Sequence, residues 1–334
     1  MTEAPKKVDE NDYPLVSVII PAYLVADYIE ETLNSVLAQT YTNLEIVVIN
    51  DGSPDTERLE AILAPYQNRI NYVAKRNGGT ASARNAGIRA ANGEFLAFLD
   101  GDDVWFPEYL STQVQEIQTR NCDVIYCDAL LFGELVGPKE TFMTRNPSIG
   151  AVTSETLLEW KCNLITSGTV ARRNLVTGAG LFDESLPKIG FEDFDLWLRL
   201  VRAGAVIEYH RKPLLKYRLR ADSLSGSSVQ RAERTMVLWD HLMRKFSFND
   251  SELAVIARQH EKDRILLETE RAKWFLVNED FEGAQRHLDD ILVTSPSIKL
   301  KIIDHLLKIS PRLLRATFRC LRRREFDFIL SASR

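Results

Sequence analysis

Three carboxylates crowd four positions in Asp100-Gly101-Asp102-Asp103, at the end of the apolar run from Phe95 to Leu99. Like charges so close raise each other's pKa, and a cation among them relieves the repulsion. Oxygen donors in that number suit Mg²⁺ or Mn²⁺. Taken alone, the tetrapeptide also fits a solvated turn with one carboxylate capping the next helix. A second acidic pair, Glu192-Asp193, opens a segment whose apolar residues Phe194, Trp197, Leu198 and Val201 have helical spacing. General acid or base chemistry is one use for such a pair. The plain alternative is dipole stabilisation of a helix start, worth about 0.3–1 kcal/mol. Lys75 and Arg76 stand just before Gly78-Gly79 and a helical pattern from Thr80. Positive charge, close backbone approach and free helix-start amides together suit an anion, although paired glycines also mark ordinary turns. A nucleotide diphosphate with a metal would use all three groups. There is no Walker loop and no G-x-G-x-x-G, which disfavours a P-loop NTPase or a dinucleotide dehydrogenase.

These groups need a scaffold, and the periodicity supplies one. Apolar, β-branched runs at Val16 to Ile20, Glu45 to Asn50, Ile70 to Ala74 and Asp123 to Tyr126, with the run before Asp100, read as buried strands. Helical patterns at Ala26 to Ala38, Asp55 to Tyr66, Thr80 to Ala91 and Pro107 to Thr119 alternate with them. Alternation predicts an α/β fold whose mostly parallel sheet is flanked by helices. Ligands of such sheets bind beyond the carboxyl ends of the strands. Pro21-Ala22-Tyr23, Asp51-Gly52-Ser53, the Lys75 to Gly79 segment and the acidic tetrapeptide should therefore meet at one edge.

The ordered motifs VSVIIPAY (Val16 to Tyr23), VVINDGS (Val47 to Ser53), RNGGTASARNAGI (Arg76 to Ile88), FLDGDDVW (Phe98 to Trp105), FDE (Phe182 to Glu184) and FEDFDLW (Phe191 to Trp197) resemble the inverting glycosyltransferases of family 2. The resemblance covers roughly residues 14 to 228 and implies a GT-A, nucleotide-sugar-dependent domain and hexosyltransferase-like chemistry. It further implies that Pro21, Tyr23 and Asp51 hold the base and ribose, uracil being favoured, and that Arg76 lies beside the nucleotide. Asp100 and Asp102 then form the D-x-D motif, Asp100 near the ribose or a metal-bound water and Asp102 as direct ligand to Mn²⁺ or Mg²⁺. Asp193 becomes the general base on an acceptor hydroxyl, while Glu192 and Asp195 orient, cap or contact the acceptor. One departure stands out: where the family often has Tyr-Arg-x-His, this chain has Tyr217-Arg218-Leu219-Arg220. Arg220 cannot ligate a metal at neutral pH but can pair with phosphate oxygens. The small, Ser-rich stretch 221–228 reads as a lid over the donor or as a linker. The implied function is inverting transfer from a nucleotide-diphosphate sugar, UDP-linked by preference, to a saccharide, lipid-linked or other hydroxyl acceptor in bacterial-type polysaccharide or glycoconjugate assembly. A nucleotidyltransferase, or a nucleotide-sugar-binding protein that has lost turnover, are the alternatives.

With 334 residues, 45% of them hydrophobic, the chain has room for one large domain and an appendage. The expected division is a flexible N-terminus at 1–13, a catalytic domain at 14–228 and a helical region at 229–334. A net charge of -5 gives no general footprint for nucleic acid. Cys122, Cys127, Cys162 and Cys320 lack metal or paired spacing and read as free thiols of a reducing compartment. Met1 to Asp12 carries no apolar core, and no run is long enough to span a bilayer, so the expected location is cytoplasmic. Helical patterns fill Ala232 to Lys245, Asp250 to Asn278, Phe281 to Thr294 and Ile298 to Ile309. Lys273 to His287 resembles one tetratricopeptide-type hairpin. Residues 296–334 hold ten Lys or Arg against three acids. Interleaved with Leu313, Leu314, Phe318 and Leu321, this basic tail fits peripheral contact with the inner face of a membrane, or a helix packed on its neighbours with a solvated basic side.

Overall fold

The β-branched runs become strands in this computed structural model, which describes residues 13–133, 140–186, 188, 190–220, 228–323, 326 and 329. The run ending at Ala74, expected to be buried, is instead a half-exposed strand because it lies at the edge of the sheet. The strands are β1 (Val16–Ala22), β2 (Leu44–Asn50), β3 (Asn71–Ala74), β4 (Phe95–Phe98), β5 (Val104–Trp105), β6 (Val124–Gly133), β7 (Thr169–Arg172) and β8 (Ile207–Leu219). They form one eight-stranded sheet in the order β3-β2-β1-β4-β7-β6-β8-β5. The β3, β2, β1 and β4 block is parallel throughout, as the alternation of strand and helix predicts. β7 then runs antiparallel between β4 and β6, β8 is parallel to β6, and β5 is an antiparallel edge strand. The fold is therefore α/β, a mostly parallel sheet flanked by helices, as the resemblance to GT-A domains predicts.

Helices α1 (Ile29–Leu37), α2 (Thr56–Leu63), α3 (Thr80–Ala90) and α4 (Tyr109–Arg120) return the chain between strands, and α5 (Phe142–Arg145), α6 (Ser154–Leu158), α7 (Arg173–Gly178) and α8 (Glu192–Arg202) follow β6 and β7. β1 and β4 are almost wholly buried because helices cover both faces of the central strands. α3 lies against β1 and β2 through Gly87. A Cβ there would stand 2.6 Å from Ile19 Cγ2 and 2.7 Å from Ile49 Cδ1. Gly87→Ala should accordingly cost about 1–3 kcal/mol by overpacking, read as a lower midpoint in denaturant unfolding. An unchanged midpoint would mean that α3 can move away from the sheet freely.

The chain divides into two compact units, Met1–Gly226 and Ser227–Arg334. The second contains α9 (Ser228–Lys245), α10 (Asp250–Val277), α11 (Phe281–Thr294), α12 (Ile298–Ile309) and α13 (Pro311–Leu321). α10 and α11 form the hairpin suggested by the tetratricopeptide-like stretch, and Gly283 lets them close: its Cβ would lie 2.5 Å from the Phe275 ring. Among the described residues Leu276, Ala284, Leu288 and Leu307 form one small core cluster of that unit, and Val277, Phe326 and Ile329 another. Residues 1–12, the lid or linker stretch 221–227 and most of the tail beyond Arg323 lie outside the described residues. The four cysteines are free thiols, three of them buried. No helix among the described residues is long and apolar enough to cross a membrane.

Candidate active site

The loops that follow β1 to β4 meet at one sheet edge. Asp51, only 2% exposed, directly follows β2 and gathers the loop after β3 around its carboxylate. Lys75 Nζ lies 2.7 Å from it, and the amides of Gly78 and Gly79 donate at 3.0 and 2.7 Å. Gly52 has φ +63°, and a Cβ there would fall 2.7 Å from the Asn77 nitrogen, so only glycine lets the two loops approach this closely. Tyr23 and Arg76 remain exposed beside them. The Pro21 carbonyl stands 3.0 Å from where a Gly101 Cβ would be, which closes the end of β1 onto the acidic turn.

The acids are held by a residue the sequence motifs contain without marking its role. Arg84, 3% exposed on α3, donates from Nη2 to Asp100 Oδ1 and from Nη1 to Glu192 Oε1, both at 2.7 Å. Burial alone would lower its pKa; Asp100, Glu192 and Asp193 overcome this and raise it. A single guanidinium thus joins the acidic turn after β4 to the first turn of α8. Asp193 is tied there by Thr166 Oγ1, which donates at 2.8 Å, and by the Phe194 amide at 2.7 Å. Burial, then the charge of Glu192, push Asp193 up to about 6, with Arg84 and these hydrogen bonds opposing. Ser167, next in the same turn, accepts from the Asp100 amide at 3.0 Å, and its carbonyl accepts from Trp105 Nε1 at 2.7 Å. Asp195 is fully buried and paired with Arg199 at 2.8 Å, so it braces α8 from within.

Asp102 faces Arg220, whose Nη1 is 3.3 Å from Oδ2. Arg220 and Arg218 lie over the Tyr28 ring at 4.9 and 4.7 Å, and Arg218 also lies over Phe132 at 4.2 Å. Arg218 donates its backbone amide to Asp103 Oδ1 and its Nε to the Asp102 carbonyl, each at 2.8 Å. Burial and then Asp100 raise the Asp102 pKa against the pull of Arg220 and Arg218. In Asp103 burial again leads, followed by Asp102 and Asp100, and its pKa is raised well above the usual range. Asp100 and Asp102 keep partly accessible side chains. Two accessible carboxylates whose mutual charge is unfavourable fit a hard divalent ion that fills its shell with water and phosphate oxygens.

Thus Asp100 and Glu192 share one cation, Asp102 and Arg220 face each other, Asp193 sits beside Glu192, and Asp51 organises the neighbouring loop. Arg84, Thr166, Ser167 and Arg218 join them without having been singled out. For Arg84 a signal existed: it falls on the buried stripe of α3 with Gly87 and Ile88, where an unpaired charge has no place. For Thr166 and Ser167 no local pattern pointed to the site.

Residues 17–175 match the model of the family described as Glycosyl transferase family 2. A glycosyltransferase of Rickettsia typhi is 34% identical over 247 residues, which cover 71% of this chain and 74% of that protein. The Escherichia coli protein named UDP-Glc:alpha-D-GlcNAc-diphosphoundecaprenol beta-1,3-glucosyltransferase WfgD is 30% identical over 240 residues, covering 70% of this chain and 86% of that one. In fold, the chain resembles the mannosyltransferase PcManGT of Pyrobaculum calidifontis, solved with GDP-Man and Mn²⁺, at a TM-score of 0.60 and 16% identity over 99% of this chain and 89% of that chain. By these likenesses this chain is a glycosyltransferase and belongs to glycosyl transferase family 2.

Proposed function

We propose that the protein transfers a sugar, with inversion, from a nucleotide-diphosphate sugar to an acceptor hydroxyl in polysaccharide or glycoconjugate assembly, and that residues 14–228 carry the reaction. The observation that supports this most is the Arg84 fork, which puts the donor-side carboxylate Asp100 and the α8 acids into one site. Pro21, Tyr23 and Asp51 would receive the base and ribose, Arg76 would lie beside the nucleotide, and Arg220 would turn from Asp102 to the diphosphate. Asp102, with Asp100 behind it, is the residue to hold Mn²⁺ or Mg²⁺. Such an ion, when bound, supplies Lewis-acid stabilisation of the departing diphosphate. The carboxylate of Asp193 takes the acceptor hydroxyl's proton as that oxygen bonds to the anomeric carbon. The bond to the diphosphate breaks on the opposite face, and the nucleoside diphosphate leaves. The E. coli relative is named for UDP-Glc and a diphosphoundecaprenol-linked acceptor, which supports uracil and a saccharide or lipid-linked acceptor here. PcManGT was solved with GDP-Man, so the base rests on family likeness rather than on the fold.

A panel of nucleotide sugars, assayed with Mn²⁺ for slow release of nucleotide, tests the reading; donor binding without any release would indicate a protein that has lost turnover. Calorimetry tests the metal assignment. Mn²⁺ or Mg²⁺ should strengthen nucleoside diphosphate binding to the native protein, and Asp102→Asn should remove most of that gain. Equal affinity with and without metal would sink the assignment.

A further inference from the structure

We propose that α12 and α13 form a surface that seats on an anionic phospholipid bilayer. This inference rests on the second unit alone and not on the transfer reaction. α12 turns Leu300, Ile303 and Leu307 toward the core formed with Leu276 and Leu288. Three more of its isoleucines face away: Ile298, Ile302 and Ile309 are 81%, 56% and 68% exposed. Their spacing, four and then seven residues, sets them in one stripe along the helix. Only exposed His305 interrupts this stripe, and a helix meeting only its own core and water has no use for so much apolar surface on its second side. Exposed Lys299, Lys301 and Lys308 flank it. α13 repeats the arrangement with exposed Leu313 and Leu321 beside exposed Arg312 and Arg319.

Charge selects the occupant. Residues 296–334 carry a formal +7, against -12 for the rest of the chain. A symmetric pairing of two copies through this surface would set like charge against like. A nucleic acid would satisfy the cations but not the isoleucines, since its grip comes from phosphates and base stacking. An anionic bilayer satisfies both: isoleucine and leucine enter the headgroup and acyl boundary while Lys and Arg meet phosphates. As no described helix is long and apolar enough to cross a bilayer, the contact lies in the plane of the interface.

Sedimentation of the full-length protein with vesicles tests this. Binding should occur with phosphatidylcholine vesicles containing phosphatidylglycerol, be absent with phosphatidylcholine alone, and weaken as salt rises. Ile298→Ser/Ile302→Ser/Ile309→Ser should lower partitioning by more than about tenfold, and Lys299→Gln/Lys301→Gln/Arg312→Gln by about a hundredfold. Both triple variants alter exposed side chains and should keep the native melting temperature. The proposal is overturned if the serine variant binds vesicles as the native chain does, if neutral vesicles bind equally well, or if the isoleucines instead support dimers in solution without any vesicle binding.

Discussion

Asp193→Asn is expected to lower sugar transfer by about 10²- to 10⁴-fold while leaving donor binding nearly intact. Asparagine can still accept a hydrogen bond from Thr166 or the Phe194 amide but cannot take a proton from the acceptor. A base held up to about 6 is ionised at neutral pH yet more basic than an ordinary aspartate. The native kcat/KM should therefore rise with pH and level off above about 6, and the variant's residual rate should lack that limb. Stability should move the other way. Between the ordinary value of 3.8 and about 6, the folded state holds a proton that the unfolded chain has released. Native stability accordingly falls as pH rises through that window. Freed of this penalty, Asp193→Asn should be more stable than the native protein at neutral pH by something on the order of 1–3 kcal/mol. A native rate of transfer in this variant would reduce Asp193 to a helix-opening residue, and loss of both activity and stability would point to simple collapse of the site.

The second large effect is expected at Arg84. Removing its guanidinium leaves the largely buried Glu192 and the partly accessible Asp100 without their shared partner, a change worth about 2–3 kcal/mol once solvent screening at Asp100 is allowed for. Arg84→Lys separates charge from geometry. Lysine keeps the positive charge but lacks the planar fork that reaches both carboxylates at once. It should fold, bind donor more weakly and transfer at least about tenfold more slowly. Arg84→Gln, where it folds, should also move the acid limb of the pH profile upward, because Arg84 now holds the Asp193 pKa down. Arg84→Lys should return that limb toward its native place. If the limb stays fixed in both variants while activity falls, Arg84 only braces α3 against α8.

Legibility in the sequence followed burial and period. β1, β2 and β4 are runs buried on both faces, so their apolar residues were continuous and their ends plain. The helical starts at Thr80 and Glu192 were equally plain. β7 and β5 are too short to show a period, and β8 mixes Arg, Lys and Pro into a half-exposed strand whose pairing to β6 shifts register near Asp128. Their places come from tertiary pairing, which local pattern cannot express. The same holds within the site. Asp100, Asp102 and Asp193 advertise themselves as clustered charges, whereas Thr166 and Ser167 are ordinary polar residues made important by where the sheet puts them.

The direction of β7 has a consequence for how such an enzyme can diversify. Because β7 runs against β4, Val170 pairs with Ala97 toward the ligand end of the sheet and Arg172 with Phe95 at the far end. β6 also finishes at the ligand end, at Gly133. The chain therefore leaves the sheet and re-enters it on the same side, with α5, α6 and the Thr166–Gly168 turn lying between. Insertions or exchanges around α5 and α6 need no change in strand order or in the register of the β3-β2-β1-β4 block, provided the Thr166–Gly168 turn that holds Asp193 and Asp100 is kept. Selection can therefore rewrite the α5 and α6 part of this excursion while the parallel block is inherited intact.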